Sequence, residues 1–454
     1  MSTLNVDKVD PNTGTDLELG TSGDTVTVPS GVTLTLTDST LSLPTTITST
    51  TEVKTNKVSP ATGTAFALGD SGDTFTVPSG ATIVNSGTAT GFGITSSSFL
   101  PISQPLFING NMDISQRSTS VTGITDNGVT TVDRMYNAVS GIGTYQVQQQ
   151  ALTSGNAFDD GFATAYRIDC TTADASPAAA DYLYMQYNFE GQDLQVFKKG
   201  TSNAETFTIA FWVKCSKTGV GSMQLKDKDN SNRQCTQTYT ISVADTWEKK
   251  ICAFGADTTG AFDNDNAKSL NVNWWLGSGT DYSSGTANNG TWEAQANTKV
   301  NADGTLDIND STANDWAITG IQLEVGTYTS SDLPPFRHES FAENIFRCQR
   351  YYQEVTNFSG VANSTTQLFG VGIKPVRMRV EAPTISNNGV ALQFTDGYSA
   401  DPFQTTAGGI SSLVRDFDKD MFLITNFTGL TQGEFMVGTR DNEPYACITL
   451  DAEL

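Results

Sequence analysis

The sequence predicts an all-β protein built from several small sheets. Three observations carry that expectation. Apolar and polar residues alternate at period two in segment after segment, which is the strand signature. Clusters of Gly, Asn, Asp and Ser separate those segments, and only one stretch has helical spacing. A β-hairpin unit is repeated near the N-terminus. Composition agrees: 37% of the 454 residues are hydrophobic, low for one large core but enough for sheets that each bury one face.

The repeat comes first in the chain. Residues 8–31 read KVDPNTGTDLELGTSGDTVTVPSG and residues 57–80 read KVSPATGTAFALGDSGDTFTVPSG. Leu17, Leu19, Val26 and Val28 alternate in the first copy, Phe66, Leu68, Phe75 and Val77 in the second. Ser22–Asp24 and Ser71–Asp73 supply Gly-containing turns, and Pro-Ser-Gly ends each hairpin. Residues 37–51 are rich in Thr and Ser and read as a spacer. A unit this small cannot bury a core alone. The aromatics of residues 1–98 are Phe66, Phe75 and Phe92 only. The hairpins therefore pair with neighbouring copies around a three-fold axis, form a monomeric β arrangement, or stay flexible until they dock. A trimeric stalk or anchor over 1–98 is the expectation.

Aromatic residues become frequent near residue 99, and 99–338 reads as a β-sandwich or jelly roll. Its strand candidates are Thr206–Lys214, Trp247–Phe254, Leu270–Leu276 and Trp316–Val325. Residues 339–355 read as a connecting helix. Ser340 and Glu343 form a capping box, and Phe341, Ile345, Cys348 and Tyr352 recur at helical spacing. Residues 356–454 return to strands, at Thr366–Ile373, Val390–Thr395, Met421–Phe427 and Glu434–Thr439, and read as a smaller C-terminal sandwich.

The formal net charge is −23, from 49 acidic and 26 basic residues. Such a chain has little to neutralise phosphates with, so nucleic acid is not an expected partner. No apolar run approaches a membrane span, so membrane insertion is not expected. The N-terminus lacks a basic stretch followed by an apolar run, which predicts no signal peptide and folding in a cytosol. The cysteines at 170, 215, 235, 252, 348 and 447 form no CxxC pair and read as buried thiols.

Little in the sequence suggests catalysis. The one histidine, His338, lies at an element boundary. It would have to serve any Ser/His/Asp or Cys/His centre, and a multi-His metal site is excluded. Carboxylates are too numerous for any pair to single itself out as a glycosidase dyad. No protein-bound cofactor is expected; calcium is the one ion the acidic turns could take. These are Asp227–Asp229–Asn230, Asp263–Asp265 and, as first choice, the loop carrying Asp303, Asp307 and Asp310.

The clearest binding cue is the aromatic group Trp274, Trp275, Tyr282 and Trp292. Flat aromatic rings stack on the apolar C–H faces of sugars, and nearby Asn271, Asn273, Asp281 and Asn288 could bond the hydroxyls. Adjacent Trp274 and Trp275 must point to opposite faces of a strand, one to the core and one outward.

Several segments carry a resemblance. They are FINGNMDISQR (107–117), YNFEGQDLQVF (187–197), FTIAFWVKCSKTG (207–219), ADTWEKKICAF (244–254), GIQLEVG (320–326) and PFRHESFAENIFRCQRYYQ (335–353). In order and spacing, residues 105–350 resemble a domain common in tail-fibre proteins of tailed bacteriophages, similar to carbohydrate-binding-module jelly rolls. The N-terminal repeat resembles segments of marine phage fibre proteins, notably those infecting cyanobacteria. One departure is Met135, which follows Asp133-Arg134 where that family often has Trp. The resemblance implies a homotrimeric virion tail fibre, anchored to other phage tail proteins through its N-terminal region. It also implies adhesion to host-surface polysaccharide or lipopolysaccharide. The alternatives are a virion adaptor or decoration protein that touches only other virion proteins, and a polysaccharide depolymerase.

Overall fold

The structure is a computed structural model. It describes residues 105–454 apart from 356–357, 381–382, 387–392, 396–402, 405–409, 416–418, 426–429, 431, 434 and 439–447. The chain divides into two compact units, Met1–Thr88 and Ala89–Leu454, and every described residue belongs to the second. The repeats at 8–31 and 57–80, and the stalk expected from them, lie outside the described residues.

Eleven strands build the larger part. They are β1 (Ser120–Ile124), β2 (Tyr136–Ser140), β3 (Thr144–Ala151), β4 (Thr164–Thr172), β5 (Tyr182–Glu190), β6 (Phe207–Cys215), β7 (Gly219–Asp227), β8 (Gln234–Ile241), β9 (Glu248–Phe254), β10 (Lys268–Ser278) and β11 (Asp315–Val325). The first sheet has the order β1-β3-β4-β11-β6-β9 and the second β2-β5-β10-β7-β8. All their pairings are antiparallel. The two sheets face each other as a sandwich, as the alternation predicts. Phe207, Ile209, Phe211 and Val213 of β6 meet Leu270, Val272, Trp274 and Leu276 of β10 in one buried core. Met135, in the position where the resemblance leads one to expect Trp, is fully buried in the same core.

Strand β11 changes phase to keep its core residues inside. Trp316 and Ile318 point inward before the register shift between Thr319 and Gln322; Ile321 and Leu323 point inward after it. Gly320 sits at the shift with φ 62°, and a Cβ there would lie 2.6 Å from the Phe162 ring. Only glycine meets both demands.

Residues after 338 differ from the sequence expectation. The capping box forms, with the Ser340 hydroxyl accepting from Glu343 N–H at 3.3 Å. The helix, expected over 339–355, is confined to Phe341–Cys348. Tyr352–Val355 is instead a strand, β12, paired with Ile448–Asp451 nearly a hundred residues away. That long-range pairing overrides the local helical spacing, which no short window can reveal.

Further strands follow: β13 (Phe358–Ala362), β14 (Leu368–Ile373), β15 (Thr384–Ser386), β16 (Gln393–Thr395), β17 (Phe403–Gln404), β18 (Ile410–Arg415), β19 (Lys419–Ile424), β20 (Phe435–Gly438) and β21 (Ile448–Asp451). They form a three-stranded sheet, β12-β21-β15, and a seven-stranded sheet, β17-β16-β20-β13-β14-β19-β18. Val355, Ile448 and Leu450 from the first pack with Ala362, Leu368 and Ile424 from the second, so this part too is a small two-sheet sandwich.

Charged contacts clamp the C-terminus to the jelly roll. Arg134 is buried, pairs with Glu453, and lies 3.4 Å from the Tyr351 ring. Arg117 reaches Asp451 at 3.0 Å, and Asn188 donates to the Leu454 carbonyl at 2.8 Å. Arg350 grips Glu190 through two bonds of 2.7 and 2.8 Å. Such forked, part-buried pairs are among the stronger charged contacts.

Candidate functional site

The outer face of the second sheet forms a cleft of about 350 Å³. Period-two alternation brings its floor together from four strands. Register places residues in rows. Lys226, Asn271 and Asn188 are paired across β7, β10 and β5. The next row runs Gln224, Asn273, Gln186 and Tyr136. A third runs Ser222, Trp275, Tyr184 and Ala138. Every inward neighbour on these strands (Leu225, Val272, Trp274, Met185, Tyr187) belongs to the core.

The cleft has three chemically distinct zones. At one end the rings of Tyr184 and Trp275 lie 4.7 Å apart, and those of Trp275 and Tyr282 5.2 Å apart. Tyr182 closes the group at 5.3 Å from Tyr184 and 5.7 Å from Tyr282. Trp275 is buried, and the three tyrosines are half-buried.

The middle is a ladder of side-chain amides. Gln186 Nε2 donates to Asn273 Oδ1 at 3.0 Å, and Asn273 Nδ2 to Gln224 Oε1 at 2.9 Å. Gln224 Nε2 then donates to Gln234 Oε1 at 3.1 Å. Each amide carries two donor hydrogens and two acceptor lone pairs, so the ladder fixes each group while leaving it capacity for a ligand. Asn271 Oδ1 and Trp275 Nε1 are buried without a hydrogen-bond partner.

The far end carries Lys226, Lys228 and Lys268. Burial, and then repulsion from Lys228 and Lys268, lowers the Lys226 pKa below its ordinary value. Burial, then Lys228, Arg379 and Arg134, does the same to Lys268. Among the described residues, the cleft lining contains no Asp, Glu, His or Cys.

The structure sorts the aromatic group named from sequence. Trp275 and Tyr282 line the cleft, with Asn271 and Asn273 beside them. Trp274 does not; it is fully buried, 5.8 Å from Phe211 across the core. Trp292 does not either. It is buried against Phe207, its Nε1 donates to the Gly255 carbonyl at 2.8 Å, and Lys199 lies over its ring. Nearness in sequence misassigned it, because the loop carrying it folds over the sandwich edge. Asp281 and Asn288 stand outside the lining. Sequence reading missed Tyr136, Tyr182, Tyr184, Gln186, Gln224 and the lysines. The signal was present in YLYMQYNFE, where Tyr182, Tyr184, Gln186 and Asn188 alternate onto one face.

The first-choice calcium loop is not assembled as one. Asp310 Oδ2 accepts from Lys217 Nζ at 2.6 Å, and Lys217 also holds the Asp307 carbonyl at 2.8 Å. Asp307 Oδ1 accepts from Asn309 N–H at 2.8 Å, while Asp303 is exposed. Among the described residues, no three His, Cys, Asp or Glu side chains gather as a metal site. A lysine has taken the position where a cation would be needed. At Asp227 the same holds: Lys199 Nζ bonds Asp227, Asp257 at 3.1 Å, and the Gly260 carbonyl at 2.8 Å. His338 packs against Phe162 and Phe336, with ring centroids at 5.1 and 4.9 Å. Cys170, Cys215, Cys235, Cys252 and Cys348 are free and buried; Cys447 lies outside the described residues. No helix among the described residues is long and apolar enough to cross a membrane.

No protein-family model matches the chain, and no curated protein matches its sequence. Solved structures similar in fold include the enzymatically active domain of tailspike protein 4 of bacteriophage CBA120. It shows 9% identity and a TM-score of 0.25, covering 49% of this chain. This chain spans 21% of that tailspike's length. A second is the CBM22-1 xylan-binding domain of Xyn10C from Paenibacillus barcinonensis, at 11% identity and TM-score 0.23, covering 46% of this chain and 95% of that one. A third is TmCBM61 in complex with β-1,4-galactotriose, at 8% identity and TM-score 0.22, covering 49% and 99%.

Proposed function

We propose that this chain is a non-enzymatic adhesin of a bacteriophage tail fibre, and that the cleft on the second sheet binds a glycan of the host surface. The observation that carries this reading is the cleft itself. A wall of Tyr184, Trp275 and Tyr282 stands beside a floor of oriented amides. Aromatic faces suit sugar C–H faces, and fixed amides suit hydroxyls, which both donate and accept. Among the described residues the lining holds no carboxylate, which supports binding without cleavage, since glycoside hydrolysis generally needs two of them. The segment resemblance supports the virion location, the trimer and an N-terminal anchor to other tail proteins. Weak single sites would then gain avidity from three copies.

The test uses the full chain. Light scattering should give a trimer, and labelled protein should bind host cells or their extracted polysaccharide but not non-host cells. Tyr184→Ala, at a half-buried position, should weaken that binding about tenfold while leaving the fold intact. Equal, negligible binding to host and non-host cells would sink the adhesive role. A virion-only adaptor is the second reading. Phe341 and Phe346 favour it, because both lie exposed on one short helix. Labelled virion proteins binding a chain that ignores host cells would establish it.

A further inference from the structure

We infer that the ligand of this cleft is an anionic glycan, with a carboxylate- or sulfate-bearing sugar unit seated at the lysine end. The inference rests on the reading of the cleft as a glycan site and adds the ligand's charge. It starts from a contrast in composition. The chain carries 49 acidic and 26 basic residues, yet among the described residues the cleft lining holds three lysines and no carboxylate. Chance placement on so acidic a protein would bring acids in first.

Position makes the lysines a zone of the site. Lys226 stands directly across from Asn271, and Lys268 opens the strand that carries Asn271, Asn273 and Trp275. Seven residues separate Lys268 from Trp275, roughly 20 Å of strand. One oligosaccharide can thus reach from the ammonium groups to the aromatic wall.

Among the described residues, no carboxylate neutralises them. Lys226 and Lys268 form no ion pair among the described residues, and Lys228 bonds only the neutral Asn232 amide, at 2.6 Å. Glu190 is the strand partner of Lys268, but its carboxylate is taken by Arg350, Tyr351 and Gln192. The half-buried ammonium groups of Lys226 and Lys268, beside exposed Lys228, repel one another, an unfavourable arrangement that an anionic ligand relieves. They also make a local positive field on a protein whose overall charge repels polyanions.

The experiment compares matched backbones by calorimetry on the full chain: polygalacturonate against its methyl ester, and dextran sulfate against dextran. At least one anionic member should bind about tenfold or more tightly than its neutral counterpart. Which pair shows the effect separates carboxylate from sulfate. The preference should fade between about 0.05 and about 0.5 M salt, as the Debye length shrinks. It should vanish in Lys226→Gln/Lys268→Gln and survive in Lys226→Arg/Lys268→Arg. Equal affinity within both pairs, or a preference unchanged in the Gln variant, overturns the inference. Tyr184-dependent uptake of a neutral host polysaccharide, with none of the four probes bound, overturns the charge and leaves the glycan reading standing. Silence toward all four probes and host polysaccharide overturns both.

Discussion

Lys226 and Asp227 are consecutive on β7 and face opposite sides of the second sheet, so one strand serves two lysine sites of opposite character. On one side Lys199 is buried among Asp227, Asp257 and backbone carbonyls, with every charge answered. On the other, Lys226 shares the cleft with Lys228 and Lys268 and has no carboxylate partner among the described residues. The first arrangement is what stability requires, because a buried charge must be paired. In the second, the lysines lack such compensation among the described residues, as the proposed ligand site requires. Internal compensation, more than burial alone, distinguishes the two lysine sites.

The largest effect should come from breaking the compensated site. Lys199→Met leaves Asp227 and Asp257 without their shared counter-ion and should cost about 3–5 kcal/mol in a denaturant titration. A loss below about 1 kcal/mol would mean the pairing is not what holds that edge. Next comes the aromatic wall. Tyr282→Ala should reduce glycan affinity about tenfold, an effect near 1.4 kcal/mol, with an unchanged melting curve.

Asp133 lies between the two extremes. Burial pushes its pKa up to about 6, against the pull of Arg117 and the Gln116 bonds. Its folded pKa lies above its unfolded one, so the folded state takes up the proton first. The cost of the buried charge is therefore full above about pH 6 and relieved as pH falls toward 4. Wild type should gain stability relative to Asp133→Asn over that fall; a flat or opposite difference would contradict the burial argument. The smallest effect is expected at the open site, where Lys226→Gln/Lys268→Gln should leave stability within about 0.5 kcal/mol. A loss of several kcal/mol there would make those lysines structural after all.

Much of the architecture was legible. Phe207–Cys215, Glu248–Phe254, Lys268–Ser278 and Asp315–Val325 fall within a residue or two of the segments read from alternation. The opposed faces of Trp274 and Trp275 followed from strand geometry alone. The Ser340–Glu343 cap was legible too, since a capping box is a local motif. The end of that helix was not, because Tyr352–Val355 is held by Ile448–Asp451.

The site divided along the same line. Sequence by itself determined that strands alternate, that charge is overwhelmingly negative, and that Trp275 and Asn273 share a face opposite to that of Trp274, because each is a property of one residue or one short period. Tertiary structure alone decided that Tyr184 would lie beside Trp275, that Trp292 would turn inward, and that three lysines would meet with no acid beside them among the described residues. Those facts depend on the order β2-β5-β10-β7-β8, which joins segments from residue 136 to residue 278. Strand order and register come from the burial of the whole sheet at once, and no single segment contains them.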